Sequence, residues 1–164
     1  MATRLIPAAL FATRRALAGL LLAGAVAARA AAPVTIPHEF PPGSPALPFS
    51  DAVVVGDTLY LAGHIGIDPH TGNAAADPAT EARLVMDAVR HTLERAGYSM
   101  DELVSVTVYC TDLALYDTFN GVYRGYFHGP HPARAFIGVK ELVRGAHFEV
   151  SGEARRTGAP GPRR

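Results

Sequence analysis

The feature that most constrains the fold of this chain is a helical repeat between Asp77 and Gly97. Asp77 belongs to a residue type that caps helices, and the proline after it fits a first helical turn. The apolar residues that follow recur at helical spacing up to the terminating glycine: Ala82, Val85, Met86, Val89, Leu93 and Ala96. Because an apolar stripe must be buried, the neighbouring segments must provide a surface for it.

The neighbouring segments predict a β-sheet. Two β-rich runs between residues 51 and 63 meet at Gly56-Asp57, a dipeptide that favours a tight hairpin. Residues 103–111 alternate, with apolar side chains on one face and polar side chains on the other. The other predicted elements are a helix from about Leu115 to Phe127 and strands over Ala133–Val139 and Ala146–Ala154. The order predicts an α+β fold, with one mixed sheet and two helices packed on one face. The uncovered face is a candidate subunit interface.

One predicted strand carries a candidate binding residue. It follows Pro132, which favours an extended backbone around it. Its two faces carry Arg134, Phe136 and Gly138 on one side and Ala135, Ile137 and Val139 on the other. We expect the second of these faces to be the core face. The arginine is then either a solvated surface charge or a two-pronged donor to a carboxylate or phosphate.

The ends of the chain are predicted to lie outside the folded domain, which we place at residues 48–154. Residues 1–30 have a basic start, an apolar stretch and the small-residue site Ala28-Arg29-Ala30, which predict a signal peptide of the Sec or twin-arginine type. The protein is therefore expected to be exported, to the periplasm or beyond. Residues 31–47 are rich in proline and predict an extended lead-in without packing, and residues 155–164 predict a disordered tail.

Composition excludes several classes of function. The formal net charge is zero and basic residues form no run inside the domain, which argues against binding of nucleic acid. The single cysteine, Cys110, is expected to be a small buried apolar side chain. No Cys/His spacing typical of zinc is present, so no metal is expected.

Six segments, in order along the chain, together resemble the reactive intermediate deaminase family (RidA, also called the YjgF/YER057c/UK114 family). They are Pro48-Phe-Ser-Asp-Ala-Val, Tyr60-Leu-Ala-Gly, Val106-Thr-Val-Tyr-Cys-Thr-Asp, Asn120-Gly-Val-Tyr-Arg-Gly-Tyr-Phe, Pro132-Ala-Arg and Arg144-Gly-Ala-His-Phe-Glu-Val. The resemblance implies a chorismate-mutase-like fold, a homotrimeric barrel and clefts between subunits. It also implies hydrolysis of enamines and imines such as 2-aminoacrylate to 2-keto acids and ammonia, with no cofactor.

The resemblance also implies roles for individual residues. Arg134 matches the family arginine that holds the substrate carboxylate, and Glu149 matches a glutamate that positions or activates water. Gly63 and Asn120 match further residues that border the pocket. Three pocket positions depart from the common pattern: Phe49 replaces tyrosine, Ala62 replaces serine and Phe136 replaces a small residue.

Alternatives remain open at this stage. Glu149 is either the water-activating group, a surface carboxylate or a salt-bridge partner of Arg134. His64 either supplies the polar group that Ala62 lacks or is a solvated loop histidine. The three departures keep open a binding protein that takes small carboxylates without turnover. A ribonuclease or translation inhibitor is a third class, against which the neutral charge and the predicted export argue.

Overall fold

A computed structural model describes residues 32–39 and 47–156 of the chain. The predicted signal peptide and most of the predicted tail lie outside the described residues. Among the described residues, no helix is long and apolar enough to cross a membrane.

The described residues form one mixed sheet with two helices on one face, which confirms the predicted α+β fold. The strands are β1 (Val34–Pro37), β2 (Ser50–Val55), β3 (Thr58–Ile65), β4 (Leu103–Cys110), β5 (Ala133–Gly138) and β6 (Phe148–Arg155), and the helices are α1 (Pro78–Arg95) and α2 (Tyr116–Tyr123). The sheet order is β1-β2-β3-β6-β4-β5. Among the strand pairs of the described residues, β4 and β5 are parallel and all the others are antiparallel. β5 is therefore an edge strand that has β4 as its one neighbour.

Helix α1 forms as its sequence pattern predicts. The side chain of Asp77 accepts a hydrogen bond from the Thr80 backbone N–H at 2.8 Å and so caps the first turn. Gly97 follows the helix with φ +75°, a conformation that favours glycine. The apolar stripe packs on the sheet in a core with these fully buried side chains: Leu59, Val85, Met86, Val89, Leu93, Val108, Cys110, Phe119 and Phe148. We call this side of the sheet the helix face and the other side the open face.

The lead-in segment differs from its prediction, because part of it is a packed strand. Val34–Pro37 pairs antiparallel with β2 and forms the second edge of the sheet. Arg95 of α1 donates to the Pro37 carbonyl at 2.7 Å, and His38 contacts Asp51 at 2.7 Å. Proline has no backbone N–H to donate, but at the end of an edge strand no such donor is needed. The proline content of this segment therefore did not prevent strand pairing.

The faces of β5 are the reverse of the prediction. Arg134 and Phe136 lie on the helix face, while Ala135 and Ile137 are exposed on the open face. The large ring of Phe136 packs edge-on against Phe119 of α2, with ring centroids 5.7 Å apart. An aromatic side chain buries more area than the alanine beside it, so it decides which face meets the helix.

Two element ends also differ from the sequence interpretation. The second α-helix ends at Tyr123 rather than at Phe127, and a 3₁₀ turn follows over Arg124–Tyr126. Gly125 in that turn is a poor helix former, which accounts for the early end. Arg155, predicted to belong to the tail, is the last residue of β6 and pairs with Thr58.

Candidate functional site

A cleft of about 390 Å³ opens beside the edge strand β5, where α2 crosses it. We call it the β5 cleft. Its lining residues come from α2, from the turn after it and from the segment leading into β5: Tyr116, Asn120, Tyr123, Arg124, His131, Pro132 and Arg134. The cleft thus contains two of the residues predicted from the sequence, Arg134 and Asn120.

The Arg134 guanidinium is held in place by one hydrogen bond and by aromatic rings. Its Nη2 donates to Asn120 Oδ1 at 2.7 Å. Its guanidinium carbon lies 4.5 Å from the centroid of the Tyr123 ring and 5.6 Å from that of Phe136. Arginine has five N–H donors, and within the described residues only this one hydrogen bond is made. The guanidinium is therefore held in one orientation and still has N–H donors that are not used. Binding of a carboxylate through two hydrogen bonds requires both properties.

Helical spacing explains why α2 presents these residues together. Tyr116, Asn120 and Tyr123 are separated by four and three positions, so they form one stripe on the helix surface. The stripe was not recognised as a site from the sequence, although its spacing is visible there. Its two phenol rings lie against the Arg134 guanidinium, at 5.8 Å for Tyr116 and 4.5 Å for Tyr123, and its amide accepts a hydrogen bond from the same group.

Tyr123 adds a buried hydroxyl to this cleft wall. The side chain is 3% exposed, and its hydroxyl has no hydrogen-bond partner among the described residues. Burial raises the pKa of Tyr123 to about 12, against a smaller lowering by Arg134. The phenol therefore stays protonated at neutral pH and can donate a hydrogen bond.

Glu149 and Gly63 form a second group, which lies on the open face. Glu149 is paired with Ile65 of β3, and the β3–β6 register is irregular between Leu61 and His64. A Cβ atom built at Gly63 would overlap Glu149 Oε1, so the carboxylate rests directly on the glycine backbone. Burial raises the pKa of Glu149 above the usual value of a glutamate.

A buried carboxylate, Glu81 of α1, fixes the start of β6 just before Glu149. The Glu81 side chain is fully buried and accepts hydrogen bonds from the backbone N–H groups of His147 at 2.7 Å and Phe148 at 2.8 Å. Its second oxygen contacts His147 Nδ1 at 2.6 Å. Sequence reasoning missed this residue, although it stands one turn before Val85 on the buried stripe of α1.

Arg134 and Glu149 do not meet within one chain. Arg134 is in register with Val106 of β4, and Val106 is in register with Gly152 of β6. Because Glu149 lies three residues away from Gly152 along β6, its Cα is roughly 14 Å from that of Arg134. The two side chains also project from opposite faces of the sheet. The alternative of a salt bridge between them in one chain is therefore wrong.

Comparison with known proteins decides the family. A family model described as Endoribonuclease L-PSP matches residues 42–155. The chain belongs to this family. Members of the same family carry the RidA and YjgF names among solved structures, which confirms the resemblance drawn from the six sequence segments.

Three relatives illustrate the range of the family. The human 2-iminobutanoate/2-iminopropanoate deaminase is 34% identical over 65% of this chain and 79% of its own length. RidA from the Antarctic bacterium Psychrobacter sp. PAMC 21119 is 29% identical, with a TM-score of 0.64 over 74% of this chain and 94% of that one. Escherichia coli TdcF, solved with bound serine, is 28% identical, with a TM-score of 0.65 over 75% of this chain and 94% of that one.

The positions that depart from the family's common pattern lie in different parts of the fold. Phe136 lies behind the β5 cleft, with its ring 4.9 Å from that of Tyr116, which lines the cleft. Phe49 is about half exposed and precedes β2. Ala62 lies in the irregular part of β3, beside Gly63. Thus only Phe136 adjoins the Arg134 guanidinium within one chain.

His64 differs from its prediction as a solvated loop residue. It lies in β3 on the helix face, where Nδ1 contacts the Ala62 carbonyl at 2.9 Å and Nε2 contacts Thr92 Oγ1 at 2.8 Å. The carbonyl can only accept, so Nδ1 carries the proton and Nε2 accepts from the threonine hydroxyl. Burial lowers the pKa of His64. The bulge in β3 turns this side chain toward α1, which strict alternation does not predict.

Within the described residues, no group of three or more His, Cys, Asp or Glu side chains is arranged to hold a metal ion.

Proposed function

We propose that this protein hydrolyses reactive enamines and imines of 2-keto acids to the keto acid and ammonia. The observation that supports the proposal is the oriented guanidinium of Arg134 in the β5 cleft. Its remaining N–H donors can bind a carboxylate. Two relatives support the choice of substrate. The human relative is a 2-iminobutanoate/2-iminopropanoate deaminase, and the TdcF structure holds an amino acid.

The chemistry requires three contributions from the protein. The substrate carboxylate must be fixed, and Arg134 does so through two parallel charge-assisted hydrogen bonds. Water must add to the imine carbon, with one of its protons passing to a base. Glu149 takes this role, since its carboxylate rests on the Gly63 backbone and can accept a proton from a water held there. Glu149 passes that proton to nitrogen, which gives a tetrahedral amino alcohol. The proton of the added hydroxyl then also moves to nitrogen as the C–N bond breaks, so ammonia leaves with both water protons and the carbonyl forms.

This scheme needs two copies of the chain. Arg134 and Glu149 are on opposite faces of the sheet, so one chain cannot bring both to a single substrate. The open face carries exposed apolar side chains, including Tyr60 and Ile137, which self-association would bury. We therefore propose that each active site lies between neighbouring copies of a homotrimer, with Arg134 from one copy and Glu149 from the next.

The second candidate function is a binding protein for small carboxylates without turnover. It is favoured by the absence of two hydroxyl groups, at Phe49 and Ala62, compared with the family's common pattern. Each missing hydrogen bond is worth about 0.5–1.5 kcal/mol. Such changes weaken the placement of the reacting groups and leave carboxylate binding by Arg134 intact.

The test is an assay in which an amino-acid oxidase generates imines from several amino acids while release of the keto acid and ammonia is followed. We expect the wild type to accelerate hydrolysis and Arg134→Ala to abolish the acceleration. Arg134→Lys should also lose most activity, about tenfold or more, because an ammonium lacks the planar pair of donors. Full activity of Arg134→Lys would contradict the two-pronged contact. Binding of a keto acid without turnover of any imine would favour the second candidate.

A further inference from the structure

The β5 cleft contains a second guanidinium that the proposed reaction does not use. Arg124 follows the helical stripe of α2 by one residue and lines the same cleft as Arg134. The imidazole of His131 lines it as well, stacked against the Tyr123 ring at a centroid distance of 6.2 Å. No aspartate or glutamate is among the lining residues. The cleft thus concentrates positive charge in a chain whose formal net charge is zero.

Arg124 also differs from most arginines of the described residues, because it has no hydrogen-bond or ion-pair partner among them. The other arginines on the helices are engaged: Arg83 with Thr80, Arg90 with Asp87, and Arg95 with Asp51. For Arg124 the structure shows no hydrogen bond or ion pair with any described residue. In this respect only Arg155, at the far end of β6, resembles it among the arginines of the described residues. Arg124 is exposed and lines the aromatic-walled cleft, so its unpaired guanidinium attracts an anionic group of a ligand that enters there.

We infer that the cleft selects substrates with two carboxylates, namely the imines of dicarboxylic amino acids and the corresponding keto diacids. The inference rests on the proposed function, in which Arg134 holds the carboxylate next to the reacting carbon. Arg124 would then hold the distal carboxylate. Asn120, which orients Arg134, and Arg124 are one helical turn apart, about 6 Å along the axis. Both guanidinium groups line one cleft, as binding of the two carboxylates of one four- or five-carbon diacid requires.

The unpaired donors around the cleft support a ligand with several acceptor oxygens. Arg134 uses one of its five donors, and Arg124 uses none on any described residue. A monocarboxylate offers two oxygens, whereas a dicarboxylate offers four. The larger acceptor set satisfies both guanidinium groups.

The test measures two quantities on the intact chain, binding of stable keto acids and hydrolysis of imines. Calorimetry compares 2-oxoglutarate, with two carboxylates, against 2-oxobutyrate, with one, and 3-phosphoglycerate serves as a phosphorylated acid. Hydrolysis compares imines generated by oxidases from acidic and from apolar amino acids. Each measurement uses the wild type, Arg124→Gln and the matched control Arg155→Gln, which removes a partnerless arginine outside the cleft.

We expect the wild type to bind 2-oxoglutarate about tenfold or more tightly than 2-oxobutyrate. Arg124→Gln should reduce that ratio of affinities toward one. Added salt should weaken binding of the diacid more than binding of the monoacid. Arg155→Gln should keep the wild-type ratio. The same pattern in binding without any imine turnover would support the dicarboxylate site and reject the deaminase.

Three binding results and one turnover result would overturn the inference. One is an equal affinity of the wild type for the mono- and diacid. Another is an equal loss of affinity for both ligands in Arg124→Gln, which would mean that Arg124 attracts any anion and does not bind the distal carboxylate. The third is tight binding of 3-phosphoglycerate without tight binding of 2-oxoglutarate, which would assign the second cation to phosphate. Turnover of apolar imines alone, with no preference for acidic ones, would leave the deaminase standing while rejecting the dicarboxylate site.

Discussion

Removal of the buried carboxylate of Glu81 should destabilise the fold far more than truncation of an exposed residue of α1. In Glu81→Ala, the backbone N–H groups of His147 and Phe148 and the Nδ1 of His147 lose their acceptor. A buried donor left unsatisfied costs about 1–3 kcal/mol. Two buried amides and a half-buried imidazole therefore predict a loss of about 3–5 kcal/mol in the free energy of unfolding.

Glu81→Gln should cost less, about 1–2 kcal/mol, because one amide oxygen still accepts from both backbone groups and only the charge-assisted hydrogen bond with His147 is removed. The assay is urea unfolding at a fixed protein concentration, since self-association contributes to stability. Glu94→Ala is the control, because Glu94 is an exposed residue of α1, and it should stay within about 0.5 kcal/mol of the wild type. If Glu81→Ala also stayed within that range, the three hydrogen bonds would not be fixing the start of β6.

Further predictions concern the glycine under Glu149, the buried histidine and the mature terminus. Gly63→Ala should abolish imine hydrolysis, because the new Cβ displaces the Glu149 carboxylate. Gly121→Ala is the control and should leave the activity intact, since a Cβ at that exposed position of α2 meets no other atom. Steady-state kinetics of the two variants make the comparison. The lowered pKa of His64 means that the unfolded chain takes up a proton below pH about 6.5 while the folded chain resists it. Stability should therefore fall as pH drops below that value, and urea titrations of His64→Gln should show a flatter profile. We also propose export, so amino-terminal sequencing of protein from its native host should find a chain that begins near Ala31, and an intact Met1 would contradict this.

The sequence was sufficient for those elements whose pattern depends on local chemistry. The cap, stripe and terminal glycine of α1 are local signals, and the hairpin at Gly56 has the positive φ that its sequence favours. The alternation in β4 likewise identified Val106, Val108 and Cys110 as buried, but it was wrong for Val104, which it assigns to the same face. Val104 is exposed because the β4–β6 register shifts between Leu103 and Ser105. These predictions needed no knowledge of which element packs on which.

The features that the sequence could not predict depend on packing between distant segments. The two faces of β5 both carry apolar residues, and only the contact between Phe136 and α2 decides which one is covered. The bulge in β3 redirects His64, and no residue in the chain marks it unambiguously. Residue types and their order likewise identified Arg134 and Glu149 as candidates, but not their location on opposite faces of the sheet.

The central claim is that Arg134 of one copy and Glu149 of another act on the same substrate, and subunit mixing tests it most directly. Arg134→Ala and Glu149→Gln should each be inactive alone. After the two variants are unfolded together and refolded in equal amounts, random assembly places an intact Arg134 and an intact Glu149 in about a quarter of the sites between copies. We predict recovery of about a quarter of the wild-type rate of imine hydrolysis. A mixture of confirmed hetero-oligomers that remains as inactive as its parents would contradict the claim.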